Sequence, residues 1–162
     1  NLPEVRKEEG RMTAAVRDGS HAPRIVLAED DPTNQFVIRA ILAGAGFDVE
    51  VCENGRVALD AIYRTRPDVI LLDLMMPIMD GYEAARTLAS DPALDGVPII
   101  AVTARVLHGD DEKALDAGCD AYIPKPISRV KLIQAVNDWR ARPATDWMPD
   151  RIRKRDGFRR SA

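Results

Sequence analysis

Between residues 24 and 139 the sequence alternates between short apolar runs and longer amphipathic segments, and this alternation limits the fold more than any other feature. A segment with helical periodicity follows each apolar run, which makes five strand–helix units. Such alternation is typical of an α/β fold in which a doubly wound parallel sheet carries helices on both faces. The predicted strands are residues 24–28, 47–52, 68–72, 97–102 and 121–123.

Helix starts are marked by residues that favour them. Asp31 and Pro32 suit the cap and the first turn of a helix that ends near Gly44. In the last helix, the spacing of Val130, Ile133 and Val136 predicts a stripe of core contacts. The other helices are predicted to follow Asn54, to run from Asp80 to Ala89, from about Leu107 to Ala117, and from Ser128 to about Trp139.

The alternating region predicts one domain, residues 24–140, between two polar segments. Residues 1–23 lack sustained apolar periodicity and read as a linker or disordered arm. Residues 141–162 read as a basic C-terminal tail. Residues 24–139 hold nineteen acids and eleven bases, a net charge of −8, whereas residues 140–162 hold three acids and eight bases, a net charge of +5.

Composition excludes several protein classes. Hydrophobic residues make up 46% of the chain, which suffices for a core without disulfides or metals. No apolar run approaches the roughly 18–20 residues of a membrane span, and the polar N-terminus does not resemble a signal peptide. Cys52 and Cys119 are too few and too far apart for a disulfide framework, so we expect a cytoplasmic protein.

Polar residues of complementary chemistry follow four of the predicted strands. Glu29 and Asp30 follow the first strand, Asp73 the third, Thr103 the fourth and Lys125 the fifth. Because sites in parallel sheets lie at the carboxyl ends of the strands, we expect these side chains to converge. Clustered carboxylates raise one another's pKa or bind a cation, and an all-oxygen site suits Mg²⁺. Together with an ammonium and a hydroxyl group, such a site suits a phosphoryl group, with Asp73 as the candidate nucleophile.

Four stretches make this chain resemble the receiver domain of the two-component response-regulator family. The resemblance implies a flavodoxin-like fold with strand order 2-1-3-4-5, and a signalling domain that is not an enzyme beyond its own phosphorylation and dephosphorylation. It further implies that Asp73 accepts a phosphoryl group from a phosphohistidine on a histidine kinase or a histidine phosphotransfer protein. The stretches are residues 25–35 (IVLAEDDPTNQ), 67–81 (PDVILLDLMMPIMDG), 97–104 (VPIIAVTA) and 121–126 (AYIPKP).

The same resemblance implies a metal site. Asp30, Asp73 and the main-chain oxygen of Met75 would hold Mg²⁺, and Glu29 would complete the acidic pocket, often through water. Asp31, the third acid of the run, is interpreted as a helix cap only.

Phosphoryl-binding and switch residues are implied as well. Lys125 would pair with one phosphoryl oxygen, Thr103 would donate a hydrogen bond to another, and Ala104 would be the third phosphoryl-binding residue. The Lys125–Pro126 peptide would be cis. Tyr122 would turn inward when Thr103 moves, and this would change the surface that binds a downstream protein. That surface comprises helix 107–117, strand 120–123 and helix 128–139. The last helix could also form the interface of a homodimer.

Two residues depart from the pattern that supports rapid loss of the phosphoryl group. Met75, two residues after the proposed acceptor, is apolar and cannot orient an attacking water by hydrogen bonding. Arg105, two residues after Thr103, is cationic. We therefore expect slow hydrolysis of the aspartyl phosphate.

Several alternatives remain open. An aspartate-nucleophile phosphatase would need a second acid where Met75 stands. The domain is also compatible with a receiver excised from a hybrid histidine kinase, which residues 27–35 resemble, or with a stand-alone regulator, which residues 117–128 resemble. A non-phosphorylated pseudo-receiver scaffold is a further alternative. The basic tail invites a test for nucleic-acid or acidic-membrane binding, although specific nucleic-acid binding is not expected.

Overall fold

The computed structural model describes residues 21–104 and 109–161, and a five-stranded parallel sheet forms its centre. The strand order is β2-β1-β3-β4-β5, which confirms the predicted doubly wound, flavodoxin-like topology. The strands are β1 (Arg24–Ala28), β2 (Asp48–Cys52), β3 (Val69–Asp73), β4 (Ile99–Thr103) and β5 (Ala121–Pro124). The helices are α1 (Pro32–Gly44), α2 (Gly55–Arg64), α3 (Gly81–Ala89), α4 (Asp110–Asp116), α5 (Arg129–Ala141) and α6 (Ala144–Ser161), with a short 3₁₀ turn at Pro92–Leu94.

Apolar side chains on both faces of the sheet form two cores. On β1, Val26 and Ala28 enter one core while Ile25 and Leu27 enter the other, because successive side chains point to opposite faces. Every residue of β1, β3 and β4 is buried, as expected for strands covered by helices on both sides. Parallel pairing aligns Ala28 with Leu72 and Asp73 with Val102, so the ends of neighbouring strands lie side by side.

The predicted helix cap at Asp31 is confirmed by its hydrogen bonds, and Asn54 and Asp80 act as caps at the predicted starts of two further helices. The Asp31 carboxylate accepts from the backbone N–H of Thr33 at 2.8 Å, and Asn54 Oδ1 accepts from Val57 at 2.9 Å. Asp80 caps α3 in the same way. These caps satisfy backbone donors that a first helical turn leaves unpaired. They also place the starts of α1, α2 and α3 at the edge of the sheet where the strands end.

Some boundaries differ from the predicted ones. Helix α4 begins at Asp110 rather than near Leu107, while residues 105–108, including Arg105, lie outside the described part of the chain. The predicted core stripe of α5 is wrong at Val130, which is 70% exposed, and Leu132 is buried in its place. Val136 is buried as predicted.

The prediction of a polar tail at residues 141–162 is wrong, because α6 forms there and packs against the domain. Its inner face consists of Trp147, Met148, Arg151 and Arg155, all buried and spaced as one side of a helix. Two of these four residues are arginines, and a charged side chain is expected in solvent unless it has an acidic partner in the folded protein.

Within residues 21–104 and 109–161, no helix combines the length and apolar character that crossing a bilayer requires.

Candidate functional site

The carboxyl ends of β1, β3, β4 and β5 open into one cleft of about 470 Å³. Glu29 and Asp30 follow β1, Asp73 and Thr103 are the last residues of β3 and β4, and Lys125 follows β5. The topology therefore brings together residues that are far apart in the chain. The cleft is lined by Glu29, Asp30, Asp31, Asn34, Asp73, Met75, Tyr82, Thr103, Ala104, Lys113 and Lys125.

Three carboxylates form the acidic part of the cleft. Oxygen atoms of Glu29, Asp30 and Asp73 lie within 4.8 Å of one another. Glu29 and Asp73 are buried, whereas Asp30 is exposed at the opening. Buried carboxylates this close repel each other unless a cation or a proton lies between them. The group is therefore a candidate site for a hard cation with oxygen ligands.

Local hydrogen bonds hold Glu29 in place. Its Oε2 accepts from the backbone N–H of Asp31 at 3.1 Å, and its Oε1 accepts from Lys125 Nζ at 2.9 Å. Its main-chain oxygen accepts from Gln35 Nε2 at 2.6 Å. Because these partners come from α1 and from the segment after β5, the carboxylate has little freedom to turn away.

Asp73 is a buried carboxyl group whose pKa is raised by its surroundings. It is 6% exposed, its Oδ1 accepts from the backbone N–H of Met75 at 3.3 Å, and its Oδ2 lies 3.5 Å from Lys125 Nζ. Burial and the adjacent charge of Glu29 raise the pKa of Asp73 from 3.8 to about 6, although Lys125 opposes the shift. At neutral pH the group is mostly ionised and is therefore available as a nucleophile.

Lys125 lies between two carboxylates and stays charged. Burial acts to lower the pKa of its ammonium group, but the hydrogen bond to Glu29 and the charge of Asp73 outweigh burial, so the pKa is raised. Its side chain is 14% exposed. The Lys125–Pro126 peptide is cis, as predicted.

Gly81 allows the loop after β3 to return close to Asp73. A Cβ atom at this position would lie 2.3 Å from the main-chain oxygen of Asp73 and 2.7 Å from the Cα of Leu74. Real Cβ atoms do not approach backbone so closely, so only glycine fits there. The first turn of α3 therefore packs directly beneath the candidate nucleophile.

The remaining predicted residues lie around this centre. Thr103 is buried at 4% exposure, whereas Ala104 is exposed at the cleft. Tyr122 is partly buried and packs against the core on one face of the sheet. Met75 is 71% exposed at the opening.

Sequence reasoning missed three residues that line the cleft: Asn34, Tyr82 and Lys113. Asn34 could have been found, because it lies in the first turn of α1, directly after the acidic run. Tyr82 could also have been identified, because it directly follows the Asp80–Gly81 helix start. Lys113 comes from α4, and nothing in its local sequence indicates that it faces this cleft. Asp31 caps α1 as predicted and in addition lines the cleft.

Comparison with known proteins gives a consistent result. The family model described as "Response regulator receiver domain" matches residues 25–137. The chain is 36% identical over 115 residues to the polar-differentiation response regulator DivK of Brucella anthropi, which covers 71% of this chain and 94% of that protein. It is 38% identical over 121 residues to hybrid signal transduction histidine kinase I of Dictyostelium discoideum, covering 70% of this chain but only 7% of that protein.

Solved structures show the same similarity. The receiver domain of sensor histidine kinase PA1611 from Pseudomonas aeruginosa, described with a magnesium ion coordinated in the active site cleft, is 39% identical with a TM-score of 0.71. The match covers 75% of this chain and 99% of that one. The receiver domain of a histidine kinase from Syntrophus aciditrophicus is 36% identical with a TM-score of 0.69, covering 74% of this chain and 91% of that one.

Proposed function

Because this chain belongs to the response-regulator receiver domain family of two-component systems, we propose that Asp73 is its phosphoacceptor and that a phosphohistidine on a histidine kinase or phosphotransfer protein is the donor. One observation carries the proposal. Asp73 is a buried carboxylate at the carboxyl edge of the sheet, within 3.5 Å of Lys125 Nζ and close to Glu29 and Asp30. These neighbours keep the Asp73 carboxylate in place while it faces the cleft.

The transfer step follows from the chemistry of the two groups. A carboxylate oxygen of Asp73 attacks phosphorus, and an acyl-phosphate bond forms as the phosphorus–nitrogen bond to the imidazole breaks. The electron pair of the broken bond remains on the imidazole nitrogen. Lys125 Nζ lies where it balances the negative charge on the phosphoryl oxygens, and the Thr103 hydroxyl, beside Ala104, is our candidate donor to another oxygen.

We propose Mg²⁺ as the cofactor. The donor set of Glu29, Asp30 and Asp73 is all oxygen and carries an excess of negative charge, which fits this ion. The main-chain oxygen of Met75 is the proposed fourth protein ligand. When bound, Mg²⁺ would neutralise charge on the carboxylates and on the incoming phosphoryl group. The magnesium ion in the cleft of the Pseudomonas receiver supports this assignment.

Phosphorylation is proposed to alter a surface that binds a downstream protein. Thr103 and Tyr122 are the switch residues of this proposal, since one lies at the cleft and the other on the adjacent strand β5. The surface comprises the part of helix 107–117 that the structure describes, strand 120–123 and helix 128–139. A ligand-driven change of this kind is a shift between two pre-existing arrangements.

Exposed apolar side chains at the same edge of the sheet support a docking site for the phosphodonor. Phe36, Met75, Ile78 and Val130 are 74%, 71%, 83% and 70% exposed, and each lies in a loop or an early helical turn at the strands' carboxyl ends. Ile78 also has φ 69°, a left-handed conformation that is unusual for a β-branched residue. A protein partner docked at this edge would cover these side chains.

The alternatives differ in how well the structure supports them. A phosphatase would need an acid two residues after Asp73, and the exposed Met75 there supplies no acid or base. Nucleic-acid binding by a basic tail loses support, because Arg151 and Arg155 are buried in α6 rather than exposed. An excised hybrid-kinase receiver, a stand-alone regulator and a pseudo-receiver remain alternatives, and cytoplasmic location and slow hydrolysis remain predictions.

The proposal is tested by intact-protein mass after incubation with acetyl phosphate and Mg²⁺. We expect one phosphoryl group on the wild type and none on Asp73→Asn. A gain on both proteins would place the acceptor elsewhere. No gain on either would favour the pseudo-receiver scaffold, and the proposed switch would then have no basis.

A further inference from the structure

Helix α6 packs at the end of the domain opposite the cleft, where strands β4 and β5 begin. Its buried face meets the segment that precedes β4, residues 94–97, and the segment that precedes β5, residues 119–120. The same two strands carry Thr103 and lead to Lys125 at their other ends. Helix α6 and the candidate phosphoacceptor site therefore contact opposite ends of the same two strands.

Arg151 makes the central contact of this helix. The residue is fully buried, and its guanidinium donates to the main-chain oxygens of Leu94 at 3.0 Å and Val97 at 2.6 Å. It also forms an ion pair with the Asp120 carboxylate, which in turn accepts from the backbone N–H of Ile99 at 2.8 Å. One side chain of α6 thereby joins the segment that precedes β4 to the residue that precedes β5.

Further contacts connect α6 to three other helices or their ends. Lys154 Nζ donates to the main-chain oxygen of Cys119, in the segment between α4 and β5, at 3.2 Å. Arg155 donates to the main-chain oxygen of Ala89, at the end of α3, at 2.9 Å. At the end of α5, the Trp139 ring lies 5.8 Å from the Trp147 ring in an edge-to-face arrangement. Helix α6 therefore contacts the segment that joins α4 to β5 and the end of α5, and these belong to or adjoin the elements of the proposed switching surface.

The sequence of α6 is poorly suited to a helix that stands alone. Pro149 and Gly157 lie inside it, and these are the two residue types least favourable in a helix interior. Trp147 Nε1 is buried with no hydrogen-bond partner among the described residues, so docking leaves one donor unsatisfied. Release of α6 from the domain would therefore also unfold it, which gives the segment two states, docked and unfolded.

We propose that docking of α6 is coupled to phosphorylation, and that α6 restrains the domain in its unphosphorylated arrangement. This inference rests on the proposed function of Asp73. The hydrogen bonds of α6 are made to the present positions of the segments that precede β4 and β5 and of the end of α3, so a shift of these segments weakens them. Coupling between two sites is reciprocal, so phosphorylation favours release of α6 and release of α6 favours the phosphorylated arrangement.

Hydrogen exchange of the whole chain, followed by mass spectrometry, tests the first half of this coupling. Wild type and Asp73→Asn are compared with and without acetyl phosphate and Mg²⁺, and intact mass reports the extent of phosphorylation. We expect exchange of the amides in residues 144–161 to accelerate at least about fivefold in the phosphorylated wild type and to stay constant in Asp73→Asn. Exchange that is unchanged in a fully phosphorylated sample overturns the coupling, whereas absence of phosphorylation overturns the proposed function instead.

A matched pair of variants tests the reciprocal half. Lys154→Ala removes the bond to Cys119 and an ion pair with Asp150 within α6. Arg153→Ala, at the neighbouring exposed residue, also removes an ion pair with Asp150 but leaves the bond to Cys119 in place. Beryllofluoride serves as a non-transferable phosphoryl analogue, and isothermal titration calorimetry measures its binding, with Asp73→Asn as the control that should not bind it. We expect Lys154→Ala to bind it at least about twofold more tightly than wild type and Arg153→Ala to bind it as wild type does. Equal affinity in all three proteins contradicts the inference.

Discussion

Replacement of Arg151 by methionine provides a direct measurement of how much α6 contributes to stability. Arg151 is 0% exposed and the Asp120 side chain is 4% exposed, so the substitution leaves a carboxylate buried without its cation. Burial raises the pKa of Asp120, and hydrogen bonding and charge from Arg151 oppose that rise, so the substitution removes the main opposing interaction. Breaking a buried ion pair on one side typically costs about 3–5 kcal/mol of the free energy of unfolding.

This loss is large compared with the total stability of a domain, about 5–15 kcal/mol. With a urea m-value of roughly 2 kcal/mol per molar, the unfolding midpoint of Arg151→Met should fall by about 2 M. The melting temperature should fall by roughly 6–20 °C for a chain of this size. Circular dichroism is the appropriate probe, because Trp147 lies beside Arg151 and its fluorescence would respond to the substitution itself.

Two comparisons separate the ion pair from other effects. Arg153→Met alters an arginine of the same helix that is 71% exposed, and its unfolding midpoint should be close to that of wild type. Adding Asp120→Leu to Arg151→Met removes the unpaired charge and should recover a substantial part of the loss. If Arg151→Met loses less than about 1 kcal/mol, or no more than Arg153→Met, the reasoning about α6 is refuted.

Three further predictions concern the cleft. Since the pKa of Asp73 is raised from 3.8 to about 6, the folded protein loses stability as the pH rises through this interval. Above pH 6, Asp73→Asn should therefore be more stable than wild type by at most about 3 kcal/mol. This advantage should disappear near pH 3.8, as measured by metal-free thermal melts. Gly81→Ala should destabilise the domain and reduce phosphorylation together, because its Cβ would lie 2.3 Å from the main-chain oxygen of Asp73; normal melting and phosphorylation would contradict this close approach. Lys125→Ala should slow phosphorylation by acetyl phosphate more than about tenfold, because a positioned positive charge is lost, and should raise the pKa of Asp73 further. The control is Lys131→Ala, which changes an exposed lysine on α5. Equal phosphorylation rates in the two variants would exclude the proposed role of Lys125 in binding the phosphoryl group.

Much of the fold was predictable from local patterns in the sequence. Short apolar runs such as residues 24–28 identify strands that are covered on both faces, and Asp31 and Asn54 identify helix starts, because capping depends on neighbouring backbone groups. The position of Asp73 at a strand end likewise follows from where the apolar run of β3 stops. These features depend on residues within a few positions of each other.

The candidate site was predictable in its members but not in its energetics. Parallel strands bring their carboxyl ends to one edge, so Glu29, Asp73, Thr103 and Lys125 could be grouped from the sequence. The raised pKa of Asp73 could not be predicted from the sequence, because it depends on burial and on distances between side chains from three different strands or loops. Lys113 reaches the cleft through the placement of α4, which local sequence does not reveal.

Helix α6 shows most clearly what only the tertiary structure decided. By itself the sequence of residues 144–161, with its arginines, Pro149 and Gly157, indicates a solvated segment rather than a helix. The helix forms because its buried arginines pair with distant carboxylates. Arg151 pairs with Asp120, 31 residues away in the chain, and Arg155 pairs with Asp95, 60 residues away. Whether an arginine lies in solvent or in a protein interior depends on where its partner carboxylate is placed, and that is a property of the folded chain.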